Sequence, residues 1–130
     1  MKWHKIAKEW KKLDKQLSEL CNRKVYIVDG NYVRNHIDVY YELGAHYLVM
    51  DYIPKEEIWL EDLKETEDML FNLIHERYEI YLMEKNKMEY DDAHEKTMEL
   101  EKKARRKYCG SNISEILEFI GVINNIISKD

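Results

Sequence analysis

A chain of 130 residues with 45% hydrophobic and 36% charged side chains, four glycines and a single proline has the make-up of one helix-rich globular domain and not of a disordered chain. A formal charge of -5 argues against a binder of nucleic-acid backbones, which needs a net basic face. The cysteines, Cys21 and Cys109, form neither a disulfide framework nor a Cys-x-x-Cys metal knuckle, and no apolar run reaches the roughly 18 residues that span a bilayer, so a cytoplasmic protein with no membrane partner is expected.

The first predicted helix covers residues 2–22. Trp3, Ile6, Trp10, Leu13, Leu17 and Leu20 recur there at spacings of three and four, a narrow apolar seam suited to zipping against another helix of this chain or of a partner. The period then falls to about two. Val25-Tyr26-Ile27-Val28 reads as a strand closed by Asp29-Gly30, a hairpin dipeptide. Tyr32-Val33 and then Ile37 to Tyr41 read as a second stretch of strand. Leu43-Gly44-Ala45 makes a turn, His46 to Ile53 a further strand ended by Pro54, and Glu57 to Leu60 a short last one. Hairpin connections imply an antiparallel meander with one face covered.

From Glu61 the helical period returns. A helix is predicted over 63–84, a break at Lys85-Asn86-Lys87, and a second helix over 90–108 that stops at Cys109-Gly110. Lys102 to Lys107, the one basic run, falls near the end of that second helix, where cations are favoured. Asn112 stands three residues before Glu115, a capping signal for a last helix over 113–128. That helix is apolar almost all round and must be covered on more than one side; the N-terminal helix, within the chain or across a homodimer, is the expected cover. The fold class is therefore α+β: N-terminal helix, small antiparallel β-meander, helical hairpin and C-terminal apolar helix. All of it falls in a single domain, 1–130, with 24–107 as the metal-binding core and 111–128 as the C-terminal helix segment.

The helical hairpin carries the chemistry. His75 and Glu79 lie about 40° and one turn apart, at the rim of the apolar arc. Glu76 points further out. A His and a carboxylate at this spacing can close on one ion, and a Glu directly after the His is where zinc hydrolases put their general base. On the next helix His94 and Glu101 lie within about 20° of each other. Folding the helices back around 85–89 sets Glu79 level with His94 and His75 level with Glu101. The four form one box, expected to hold a divalent metal, zinc by its donors. His75, Glu79 and His94 are the ligands, Glu76 the base, and Glu101 either a fourth ligand or the acceptor that orients an imidazole. Two His–Glu pairs that merely tie the helices together satisfy the same spacing. A ferritin-like di-metal bundle fits less well, because Asn72 stands three residues before His75 where a Glu is needed.

Glu57-Ile58-Trp59-Leu60, an acidic helix start and Phe71-Asn72-Leu73-Ile74-His75-Glu76 together resemble the strand-then-active-helix unit of zincin metallopeptidases, in the layout of ImmA/IrrE-type proteins. That family carries His-Glu-x-x-His, which implies a first ligand at His75 and a base at Glu76. The second ligand position holds Glu79 instead of His. The longer pattern from Tyr32-Val33-Arg34 to Glu101 is similar to an uncharacterised bacterial and phage family with a His-Glu-x-x-Glu … Ala-His … Glu pattern. There a Leu and a second His usually stand in place of Arg77 and Tyr78, and Arg77 falls inside the apolar arc, where the sequence gives no reason for it.

These resemblances imply a zinc-binding, zincin-like metal-dependent hydrolase acting on a peptide or small molecule that the sequence does not name. His36, Asp38 and His46 are expected on the sheet, the first two sharing one strand face and lining a cleft. The alternative is a non-catalytic interaction module, an inhibitor or adaptor, that dimerises through its terminal helices.

Overall fold

The change of period after residue 22 and its return after residue 61 set the architecture, which a computed structural model describes for residues 10–63 and 65–129. In chain order the elements are α1 (Trp10–Cys21), β1 (Lys24–Val28), α2 (Gly30–His36), β2 (Gly44–His46), β3 (Glu57–Glu61), α3 (Thr66–Glu84), α4 (Tyr90–Tyr108) and α5 (Ile113–Ser128). The class is α+β. By contact density the chain divides into two units, Met1–Lys64 and Glu65–Asp130. Among the described residues no helix is long and apolar enough to cross a membrane.

The first unit is built on β3. Its Ile58, Trp59 and Leu60 are fully buried, as a central strand covered on both faces requires. β1 pairs with β3 in parallel, Val25 opposite Ile58 and Ile27 opposite Leu60, and β2 pairs on the other side antiparallel, Ala45 opposite Trp59. The antiparallel meander is thus corrected to a mixed sheet of order β1-β3-β2.

The cause lies at Asp29. Its carboxylate accepts the backbone N–H groups of Asn31 (3.0 Å) and Tyr32 (3.2 Å), so Asp29 caps a helix where a hairpin turn was expected. Tyr32 and Val33 consequently lie on α2, 37–43 is a loop, and the strand expected from His46 to Ile53 ends at His46. Val28, Val33, Tyr41, Ala45, Ile53 and Trp59 close into one core around this arrangement.

β1 is an edge strand of the sheet, and α1 packs along it. Ser18 Oγ accepts the N–H of Val25 at 2.8 Å, and Asp14 Oδ1 accepts that of Ile27 at 3.0 Å. Two helix side chains thereby satisfy the donors that a further strand would otherwise take. Leu17 and Cys21 are fully buried beside them. The described part of the apolar seam therefore packs on β1, within the chain; Trp3 and Ile6 lie outside the described residues.

In the second unit α3 is flanked by α4 and α5. α4 turns only small side chains fully inward, Ala93, Thr97 and Ala104, which lets the α3 and α4 axes approach closely. α5 buries Ile116, Ile120, Ile123 and Ile127 in a helical stripe, and the Tyr108 and Phe119 rings meet at 5.0 Å. Gly110 adopts the left-handed conformation (φ 81°) at the stop after α4, and Asn112 caps α5 by accepting from Glu115 N at 3.0 Å.

Burial lifts the Asp14 carboxyl from 3.8 to about 6, the Ile27 N–H bond offsetting only part of this. A raised carboxyl contributes stability that is complete below about pH 4 and is lost as pH rises through 6. Asp14→Asn keeps an acceptor oxygen without the charge. Its urea midpoint should equal or exceed that of the parent at pH 7.5, with the difference closing towards pH 4. A lower midpoint at pH 7.5 would contradict this placement of Asp14.

Candidate metal centre

α3 and α4 run back on each other across the break at 85–89, and Lys87 takes the left-handed conformation there (φ 57°). The resulting register brings the four expected residues together. His94 Nδ1 lies 3.0 Å from Glu79 Oε2, His75 Nε2 lies 3.1 Å from the same oxygen, and His75 Nδ1 lies 2.7 Å from Glu101 Oε1. The two imidazoles meet edge to face, centroids 5.0 Å apart. Glu79 is 2% exposed, so its charge is held away from water and is compensated by the imidazole N–H groups that donate to it.

Size decides what such a cluster can hold. In a tetrahedral zinc site with bonds of about 2.0–2.1 Å, neighbouring donor atoms stand about 3.3 Å apart. The two edges that share Glu79 Oε2 measure 3.0 and 3.1 Å, and the three donor atoms of His75, Glu79 and His94 all lie within 4.8 Å of one another. Glu101 stands apart from this trio, with Oε1 on His75 Nδ1 and Oε2 accepting Arg105 Nε at 2.9 Å. Of the two roles open to Glu101, its position suits the acceptor that fixes the His75 ring.

The other expected residues divide. Glu76, expected to point outward, is buried at 6% exposure, because α3 is covered on nearly every side. Its charge still bears on His75 and on Tyr90. Arg77 is buried too, as its place in the apolar arc requires.

His36 and Asp38 share no strand face, since one ends α2 and the other lies in the following loop. His36 stacks on Tyr32 (4.2 Å) at the surface. Asp38 spends both oxygens on bracing, Oδ1 accepting Tyr40 N and Oδ2 accepting the Tyr52 hydroxyl. His46 is fully buried in β2, its Nδ1 accepting Leu48 N–H at 3.2 Å. The three do not form the strand-lined cleft expected of them.

Three residues at the site escaped the sequence reading. Tyr90 tilts over His94, centroids 5.3 Å apart and its hydroxyl 3.4 Å from Nδ1. Arg105 bridges Glu101 to Asp68 Oδ1 (3.0 Å) and lies 4.8 Å over the Phe71 ring. The signal was present: Tyr90 and His94, like Glu101 and Arg105, are four residues apart on one helix. Asp68, on the other helix, carries no such mark. Compared with family models, curated proteins and solved structures, the chain matches none.

Burial alone would lower the basicity of His75. The hydrogen bonds to Glu101 and Glu79 and the charges of Glu76 and Glu79 outweigh it, and the imidazole is pushed up to about 10. Glu101 is the counterpart. Burial would raise it, yet its bonds to His75 and Arg105 hold it below the usual carboxylate range. In metal-free protein the stabilisation from protonated His75 is complete below about pH 6.5 and is lost as pH rises through 10. A 15N titration of the metal-free protein should find the His75 imidazole still protonated at pH 8, and Glu101→Gln should bring its midpoint down. A free-histidine midpoint near 6.5 in the parent protein would contradict this network.

Proposed function

We propose that His75, Glu79 and His94 bind one divalent cation, zinc by the chemistry of the donors, and that the chain is a zincin-like metal-dependent hydrolase. The observation that carries the reading is the shared Glu79 oxygen, 3.0 and 3.1 Å from one nitrogen of each imidazole. Two imidazoles and one carboxylate are a donor set of catalytic zinc, which leaves the fourth position open. A zinc ion held by His75, Glu79 and His94 would supply Lewis-acid chemistry, making a water molecule easier to deprotonate near neutral pH.

The residues around the trio suit that chemistry. Glu76, adjacent in sequence to His75 and shielded from solvent, supplies the carboxylate to accept the proton of a polarised water. His94, its side chain 42% exposed, opens the cluster to solvent on the Tyr90 side, where a substrate would arrive. The negative charges of Glu79 and Glu76 add to burial in keeping the Tyr90 phenol protonated, a hydrogen-bond donor at that opening. A peptide or a small molecule with a polarisable carbonyl or phosphoryl oxygen is the substrate class such a site serves.

Elemental analysis of the purified protein should find one zinc per chain. His75→Ala, Glu79→Ala and His94→Ala should each lose the metal, whereas Glu76→Gln should keep it and lose turnover. Absence of metal, together with a thermal midpoint unmoved by added zinc, would leave the cluster as a tie between two helices and end the hydrolase reading.

A further inference from the structure

Beyond the three proposed ligands, a line of groups continues along the helix pair. His75 Nδ1 meets Glu101 Oε1 at 2.7 Å, Glu101 Oε2 meets Arg105 Nε at 2.9 Å, and Arg105 Nη1 meets Asp68 Oδ1 at 3.0 Å. Arg105 is held from a third side by the Phe71 ring. Each Glu101 oxygen thus has one assigned partner. Resting on the cation-binding reading above, we propose that Arg105 is a positioning residue. It pins Glu101 so that His75 keeps its proton on Nδ1 and presents Nε2 to the ion.

An imidazole can bind a cation through either nitrogen, and the nitrogen used is set by the hydrogen bond that the other makes. Glu101 alone could swing either oxygen, or the whole carboxylate, towards a cation beside His75. With Oε2 engaged by a guanidinium that itself spans two carboxylates, that rotation breaks a charge-assisted bond. Arg suits the task because its planar fork reaches Glu101 through Nε and Asp68 through Nη1 at once; a lysine offers a single point charge. The same bonds keep Glu101 out of the ligand set and leave the cation its open position.

The test is made on the full chain with zinc as the probe. Arg105→Gln should weaken zinc binding by more than twofold and by up to the roughly 10- to 100-fold that follows loss of the partner that orients a ligand directly. In the zinc-loaded parent, 15N-edited spectra of His75 should show a single form protonated at Nδ1. In Arg105→Gln that single form should give way to a mixture. Asp68→Asn is the control for mere helix tying. It should lower the thermal midpoint but weaken zinc binding less than Arg105→Gln does, because Arg105 keeps its bond to Glu101 and its place over Phe71.

If Arg105→Gln fails to fold, Glu101→Gln, which retains shape and an acceptor oxygen, carries the same expectation. Zinc affinity within twofold of the parent and an unchanged Nδ1–H signal in Arg105→Gln would overturn the positioning role alone. A parent protein that takes up no zinc would overturn the cation reading and this inference with it.

Discussion

The carboxylate of Glu79 is the constraint from which the helical unit follows. It is hidden from water on the central helix, and a bare charge there would cost several kcal/mol. One imidazole from its own helix and one from the next meet this cost, both reaching the same oxygen. For them to converge, α4 must lie close against α3, and the small side chains of Ala93, Thr97 and Ala104 permit that approach. Register, helix spacing and the polar cluster therefore depend on one another. A larger residue at Thr97 would disturb all three.

Charge alternates along the line from Glu79 through His75, Glu101 and Arg105 to Asp68, and His94 donates to Glu79 at its near end. Such a chain is self-consistent without an ion, and it holds a proton on His75. The proposed cation would take the place of that proton. Metal affinity in such a site is coupled to proton release and strengthens as pH rises. The Glu101–Arg105 end of the line is separated from the exchange by the His75 ring. One network thus ties the helices together and, on the proposed reading, offers the donors of a cation site.

Legibility in the sequence followed the range of the deciding interaction. α4 and α5 were readable because Gly110 and Asn112 act within a few residues of where they stand. The pairing of His75 with Glu101 and of Glu79 with His94 followed from counting away from a short break, since a helical hairpin has little freedom of register. Residues 29–53 misled because Asp29 serves a hairpin and a helix cap equally well, and only packing of Val33 and Tyr41 around Trp59 selects the cap. Parallel pairing of β1 with β3 joins residues some thirty positions apart, which no local period encodes. Glu76 looked exposed because one helix face was assumed to meet solvent, and α3 has almost no such face.

On the proposed reading, Glu79 and two imidazoles of neighbouring helices form one cation site. Zinc-edge X-ray absorption of the zinc-loaded protein tests it most directly. Two imidazole nitrogens at about 2.0–2.1 Å with oxygen at about 2.0–2.2 Å and no sulfur are expected. A sulfur shell at about 2.3 Å, or an oxygen-only shell without imidazole scattering, would contradict it.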